Sequence, residues 1–226
     1  MSSNQKLSKF LRAIGIILMA FTAGFTFLGG AGTTCVALNP TGFSSSMAAL
    51  ASMQWLYIFF VLSGVALGIL GIRAVIQLIR GKPNAYRFSV VILVAGTILG
   101  LVHIFTSRAL RGKSMPVDAV VYVTAFTLAV FLLFKIPGIW RIVDFSRGKP
   151  SENKPAGGAA SILLGILAIS IQYLMGASHT WGGVNYADAF HLSMWIVGVA
   201  CFITGLALLS PISLNRIRLH QSVKTQ

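Results

Sequence analysis

A chain of 226 residues that is 56% hydrophobic and only 10% charged, with a mean hydropathy of +0.82, is too oily for a water-soluble domain, in which about a quarter of the residues carry charge. Its net charge of +14 is spread over several short segments and forms no compact basic domain. That arrangement argues against a nucleic-acid partner and for a chain whose solvent is the lipid bilayer.

The first apolar stretch runs from about Leu11 to Gly30. Lys6, Lys9 and Arg12 near its start give it the look of a secretory leader. The apolar run from Ala13 to Leu28 exceeds the ~7–15 residues of a leader core, so a retained helix is expected. The loop that follows, Gly30 to Met53, is uncharged and rich in Gly, Ser, Thr and Ala. It is expected to dock on a partner protein rather than to close over an active site. It carries Cys35, and the other cysteine, Cys201, lies about halfway along the last apolar stretch. The two sit at different depths, so no disulfide is expected between them.

The second stretch, Trp55 to Ile79, contains Gly64-x-x-x-Gly68 with Gly71 beyond it, and the third, Phe88 to Ser107, contains Gly96-x-x-x-Gly100. Small residues four apart let another helix backbone come close, so these pairs are candidate packing faces. Ser63-Gly64 lacks the Gly-x-Ser-x-Gly turn of a serine nucleophile and reads as an ordinary helix serine. The remaining stretches are Val117 to Ile136, Ala159 to Ala177 and Ala189 to Ser210. Each approaches the ~20 residues that cross a ~30 Å hydrocarbon layer as a helix, and exclusion of water leaves helix as the only way to pair the backbone. The expected fold is all-α and polytopic, with six transmembrane helices. A cytoplasmic segment 1–10 precedes the membrane domain 11–210, and a basic cytoplasmic tail 211–226 follows it.

Placing the N-terminus in the cytoplasm puts all but three of the 18 basic residues on that side, leaving Arg108, Arg111 and Lys113 outside. The positive-inside rule then sets both termini in the cytoplasm of a bacterial inner or plasma membrane. Arg80, Lys82, Arg147 and Lys149 would anchor at the inner headgroups with Trp140, and Trp55 and Trp181 would belong to the outer aromatic belt.

Arg-Gly-Lys-Pro occurs at Arg80–Pro83 and again at Arg147–Pro150. Aligned at an offset of 67, Ile69–Pro83 and Ile136–Pro150 share seven of fifteen residues. Arginine suits the negative end of a helix dipole, glycine a left-handed cap, and proline forbids continuation. The match extends upstream to Ile-x-Gly-Ile, which favours an internal repeat of hairpins, at about 11–83, 84–150 and 151–210, over a coincident stop signal. Val117-Asp-Ala-Val-Val and Ala187-Asp-Ala-Phe-His, each opening a helix with an aspartate, fit the same scheme.

The four acidic residues, Asp118, Asp144, Glu152 and Asp188, all fall near membrane boundaries. No intramembrane carboxylate pair exists for catalysis or ion coupling. His103, His179 and His191 share the outer depth, where three imidazoles could hold a b-type haem or a metal, with Met175 and Met194 nearby in sequence. Histidine also suits a membrane interface without any ligand. The reading that follows is non-enzymatic: an integral membrane structural or accessory subunit packed against other membrane subunits and the bilayer. The alternatives are a haem- or quinone-binding redox module on the histidine cluster, and a small-solute transporter.

Overall fold

The computed structural model describes residues 3–147, 149–181, 183–185 and 187–210. Its helices are α1 (Ser3–Gly32), α2 (Thr34–Leu38), α3 (Ser45–Ala48), α4 (Gln54–Ile79), α5 (Ala85–Arg111), α6 (Val117–Phe134), α7 (Pro137–Val143), α8 (Pro150–Met175) and α9 (His191–Leu209). Six of them, α1, α4, α5, α6, α8 and α9, are long and apolar enough to cross a membrane. Burial is inverted relative to a soluble bundle. Trp55, Phe105, Tyr173 and Leu192 are each more than two-thirds exposed, while Ala74 and Gly71 are buried. Lipid solvates large apolar side chains as well as a protein core does, so small residues gather at the helix contacts instead.

Several boundaries differ from the sequence reading, for local reasons. Polar first turns extend α1 and α8 beyond their apolar stretches. Pro137 cannot donate a backbone hydrogen bond, and it pushes Ile136 to φ −56°, ψ 128°, so α6 stops at Phe134 and a separate short helix begins. The two Arg-Gly-Lys-Pro copies therefore have different contexts. In the first, Gly81 takes φ 62°, its N–H meets the Leu78 carbonyl and the Lys82 N–H meets that of Gln77, a Schellman stop for α4. The second copy follows α7 and a 3-10 turn, Phe145–Arg147, and its proline opens α8.

Helices α1, α4, α5 and α6 close into a ring in which each packs against the next and α6 returns to α1. Neighbours run antiparallel, as the facing pairs Gly30–Gly64, Phe60–His103, Gly100–Val121 and Thr22–Thr127 show. Helices α8 and α9 form an antiparallel pair outside the ring, seated through α8 on α1 and α4. We call the end holding the start of α1 proximal and the opposite end distal. Both described chain ends are proximal, because Leu209 packs on Gly158 near the start of α8.

The seams are built from glycine. A Cβ placed on Gly68 would fall 2.6–2.8 Å from the Phe27 backbone and Cβ, and one on Gly30 would fall 2.8 Å from the Val65 nitrogen. On Gly96 it would meet only the Thr124 Cγ2, at 3.4 Å. Thermal unfolding of the two alanine variants is expected to separate them: Gly68→Ala loses about 2 kcal/mol to overpacking, whereas Gly96→Ala is neutral or gains up to about 1 kcal/mol from helix propensity. Equal losses would contradict this packing.

The proximal end of the ring is filled. Phe145 reaches in from the 3-10 turn against Gly15 and stacks on Phe131 at 6.0 Å between ring centres. The Tyr86 hydroxyl donates to the Phe131 carbonyl at 2.6 Å. Nearby, Lys9 and Arg12 of α1 converge on Glu152 of α8, and Asn153 donates to the Leu78 carbonyl. At the distal end the loop after α1 folds over its own chain. Leu50 and Ala37 are buried with Tyr57, Phe60 and Val61, and Gln54 Nε2 donates to the carbonyls of Ala37 and Leu38. A two-residue ladder, β1 (Thr180–Trp181) with β2 (Val184–Asn185), turns the chain from α8 to α9.

Candidate functional site

The glycines that draw the ring helices together also leave interior space. Gly29, Gly30, Gly64, Gly96 and Gly100 present no side chains to the distal half of the ring, and Phe60, Leu67, Leu99, Val120 and Val121 do not fill the gap. The result is a cavity of about 70 Å³ walled by all four ring helices, with Thr33, Pro116 and Val117 at its distal rim. A second void of about 10 Å³, at the lower limit for one water, shares Thr26, Leu67, Gly96 and Thr124 with it and extends to Thr22, Met19 and Gly71. Below that, the Thr22 hydroxyl donates to the Thr127 hydroxyl at 2.8 Å and ties α1 to α6. The packed Phe131, Phe134 and Phe145 close the proximal end.

The cavity wall is mainly apolar and carries no acidic, lysine or arginine side chain. Its polar groups are Thr26, Thr33, Thr124 and His103. His103 lies flat on Phe60, with 4.3 Å between ring centres and 17° between planes, and meets the edge of Tyr57 at 5.2 Å. Tyr57 is itself fixed by a 2.7 Å hydrogen bond with Ser107 one turn along α5. This aromatic clamp holds the imidazole at the α4–α5 seam. At the rim, Arg108 donates to Ser114 at 2.9 Å, Ser114 donates to Asp118 at 2.6 Å, and Arg108 reaches Asp118 at 3.3 Å. Asp118 stands in the first turn of α6, where the helix dipole favours a carboxylate.

The three histidines of the expected cluster sit on different parts of the molecule. His103 belongs to the ring, whereas His179 ends a 3-10 turn and His191 opens α9, both on the connection between the two outer helices. Among the described residues, no three His, Cys, Asp or Glu side chains gather as a metal-holding group. Helices α8 and α9 attach to the ring through α1 and α4 rather than through α5, which carries His103.

The other candidates fall in varied places. Gly64 and Gly68 face α1, while Gly96 and Gly100 face α6. Trp55 is exposed on the distal part of α4, and Trp140 packs on Tyr86 with the Lys135 ammonium 4.5 Å from its ring centre. Arg80, Lys82 and Lys149 are exposed at the proximal end. The side chains of Arg147, Met175 and Trp181, and the tail 211–226, lie outside what the structure describes. Cys35 is exposed and Cys201 partly buried, and both are free thiols.

Besides the cavity and its aromatic clamp, the sequence expectations leave out the Thr22–Thr127 bond, the Lys9–Arg12–Glu152 cluster and a glycine seam joining α8 to α9. The seam has a legible signal, since Gly158 and Gly165, like Gly198 and Gly205, are seven apart. No protein-family model, functionally curated protein or solved structure matches the chain.

Proposed function

We propose that this membrane protein binds and passes a small solute, with the ring α1–α4–α5–α6 as the solute-binding unit and the distal cavity as its entry chamber. One observation carries the proposal: four membrane-length helices surround a cavity that reaches the distal rim and is sealed toward the proximal end. The excess of basic residues at the proximal end favours its placement in the cytoplasm, with the cavity opening outward. The antiparallel pairs α1–α4, α5–α6 and α8–α9 fit three hairpins of one orientation, although the second tetrapeptide copy lies beyond an extra helix.

Flux tests this directly. Reconstituted in liposomes, the protein should accelerate entry of a small neutral solute over protein-free vesicles. Gly96→Leu, which projects a side chain into the cavity at a position with room for a Cβ, should abolish the acceleration. Identical rates for both proteins would overturn the proposal.

The accessory-subunit reading is favoured by a separate observation. Only 11% of the apolar window of α9 is buried, the least of the six spans, and α8 is its one extensive packing partner. In that reading the outer pair is a docking arm for another membrane subunit, and native mass spectrometry of gently extracted protein should show a stoichiometric companion.

A further inference from the structure

We infer, resting on the solute-binding proposal above, that the solute is a small neutral molecule with hydrogen-bonding groups at one end, and that His103 is the residue that selects it. Size comes first. A cavity of about 70 Å³ has the volume of about two waters at ~30 Å³ each, which is room for a molecule of roughly three or four heavy atoms.

Charge is the second restriction. No charged side chain lines the wall, and Asp118 is already engaged by Ser114 and Arg108. The Arg111 guanidinium, which acts on His103 and Tyr57 from beside the wall, offers a counter-charge to anions only. A lone cation at this depth would lose hydration without a counter-charge.

The third restriction is polarity. Thr33 donates its hydroxyl proton to the Gly29 and Gly30 carbonyls, at 2.9 and 3.1 Å, and Thr124 donates to Val120 at 2.7 Å. Those protons are held within their own helices. Thr26 and His103 differ: the described residues give neither side chain a hydrogen bond, and His103 has only ring contacts with Phe60 and Tyr57. Neutral imidazole offers one N–H donor and one lone pair, and in an apolar surrounding an unmatched pair of such groups is unfavourable. A guest that accepts from one ring nitrogen or donates to the other relieves this. Val120, Val121 and Leu67, on the two helices that flank α5, suit an apolar end. Short alcohols and primary amides have this form.

Saturation-transfer NMR on the full chain in nanodiscs tests the class with acetamide, acetate and methylammonium. Acetamide should bind saturably, and the two ions at least tenfold more weakly. His103→Phe keeps the ring stack but removes both nitrogens, and should weaken acetamide binding about tenfold. His103→Gln should recover most of it through its own donor and acceptor. His103→Leu provides the same loss should the phenylalanine variant fail to fold. Equal binding of acetate or methylammonium would overturn the neutral class, and unchanged binding by His103→Phe or His103→Leu would overturn the selecting role. Gly96→Leu separates the levels: if acetamide still binds with the cavity filled, the solute-binding proposal itself fails, whatever His103 does.

Discussion

Alanine at Gly165 or Gly205 is expected to lower stability by about 3 kcal/mol, the upper end of overpacking effects, and to release α9 before the ring unfolds. A Cβ on Gly165 would sit 2.7 Å from the Gly198 carbonyl oxygen and 2.9 Å from the Phe202 nitrogen. One on Gly205 would sit 2.7 Å from the Gly158 oxygen. These neighbours are backbone atoms of a regular helix, so they cannot turn aside as a side chain would, and the two helices must separate instead. Ser161, which donates to the Cys201 carbonyl at 2.8 Å, would lose its partner in the process. Because α9 has few other contacts, separation should appear as a distinct early transition when unfolding is followed with a probe on α9. A single transition at the wild-type midpoint would show that this seam is not tight.

Glu152→Ala should have an effect of similar size at the other attachment. The Glu152 carboxylate accepts from Arg12 Nη2 at 2.9 Å and lies 3.4 Å from Lys9 Nζ. The Arg12 side chain is only 6% exposed, and its Nε has no hydrogen-bond partner. Removing the carboxylate strands a buried guanidinium, a change that typically costs about 3–5 kcal/mol. Pairing Glu152→Leu with Arg12→Met removes both charges and should recover most of the loss, because apolar replacements of a buried ion pair are often nearly neutral. A double-mutant cycle measured by unfolding in bilayer-like discs supplies the coupling. Additive losses would mean that the two side chains do not depend on each other.

How far the residues alone reveal this molecule depends on which coordinate is asked for. Six helices able to span a membrane were legible from apolar length, since lipid allows little else. Where helices stop was legible where proline or glycine dictates it, as at Gly81. It was missed at Pro137, where an apolar run continued to Ile136 and masked the break. Depth along a helix follows from counting residues, but the direction a helix face points depends on its neighbours. His103, His179 and His191 show the difference: residue counting gave them one expected depth, yet among the described residues no three such side chains gather. The α8–α9 seam was overlooked because its glycines recur every seven residues, outside the four-residue pattern sought. The cavity had no signal of its own. It arises where glycines on separate helices coincide in height, and that register exists only once the ring is closed.

The proposed solute-binding role requires that the chamber inside the ring be reached from the distal side alone. With Cys35 and Cys201 replaced by serine, Thr26→Cys puts a single thiol in the chamber wall. Lys113→Cys and Lys82→Cys, each alone in the same background, mark the distal and proximal faces. Iodoacetamide, small and neutral, applied to one membrane face with an impermeant thiol scavenger on the other, should modify Thr26→Cys only from the face that labels Lys113→Cys, and more slowly when acetamide is present. Modification from the face that labels Lys82→Cys, or from neither face, would contradict the account.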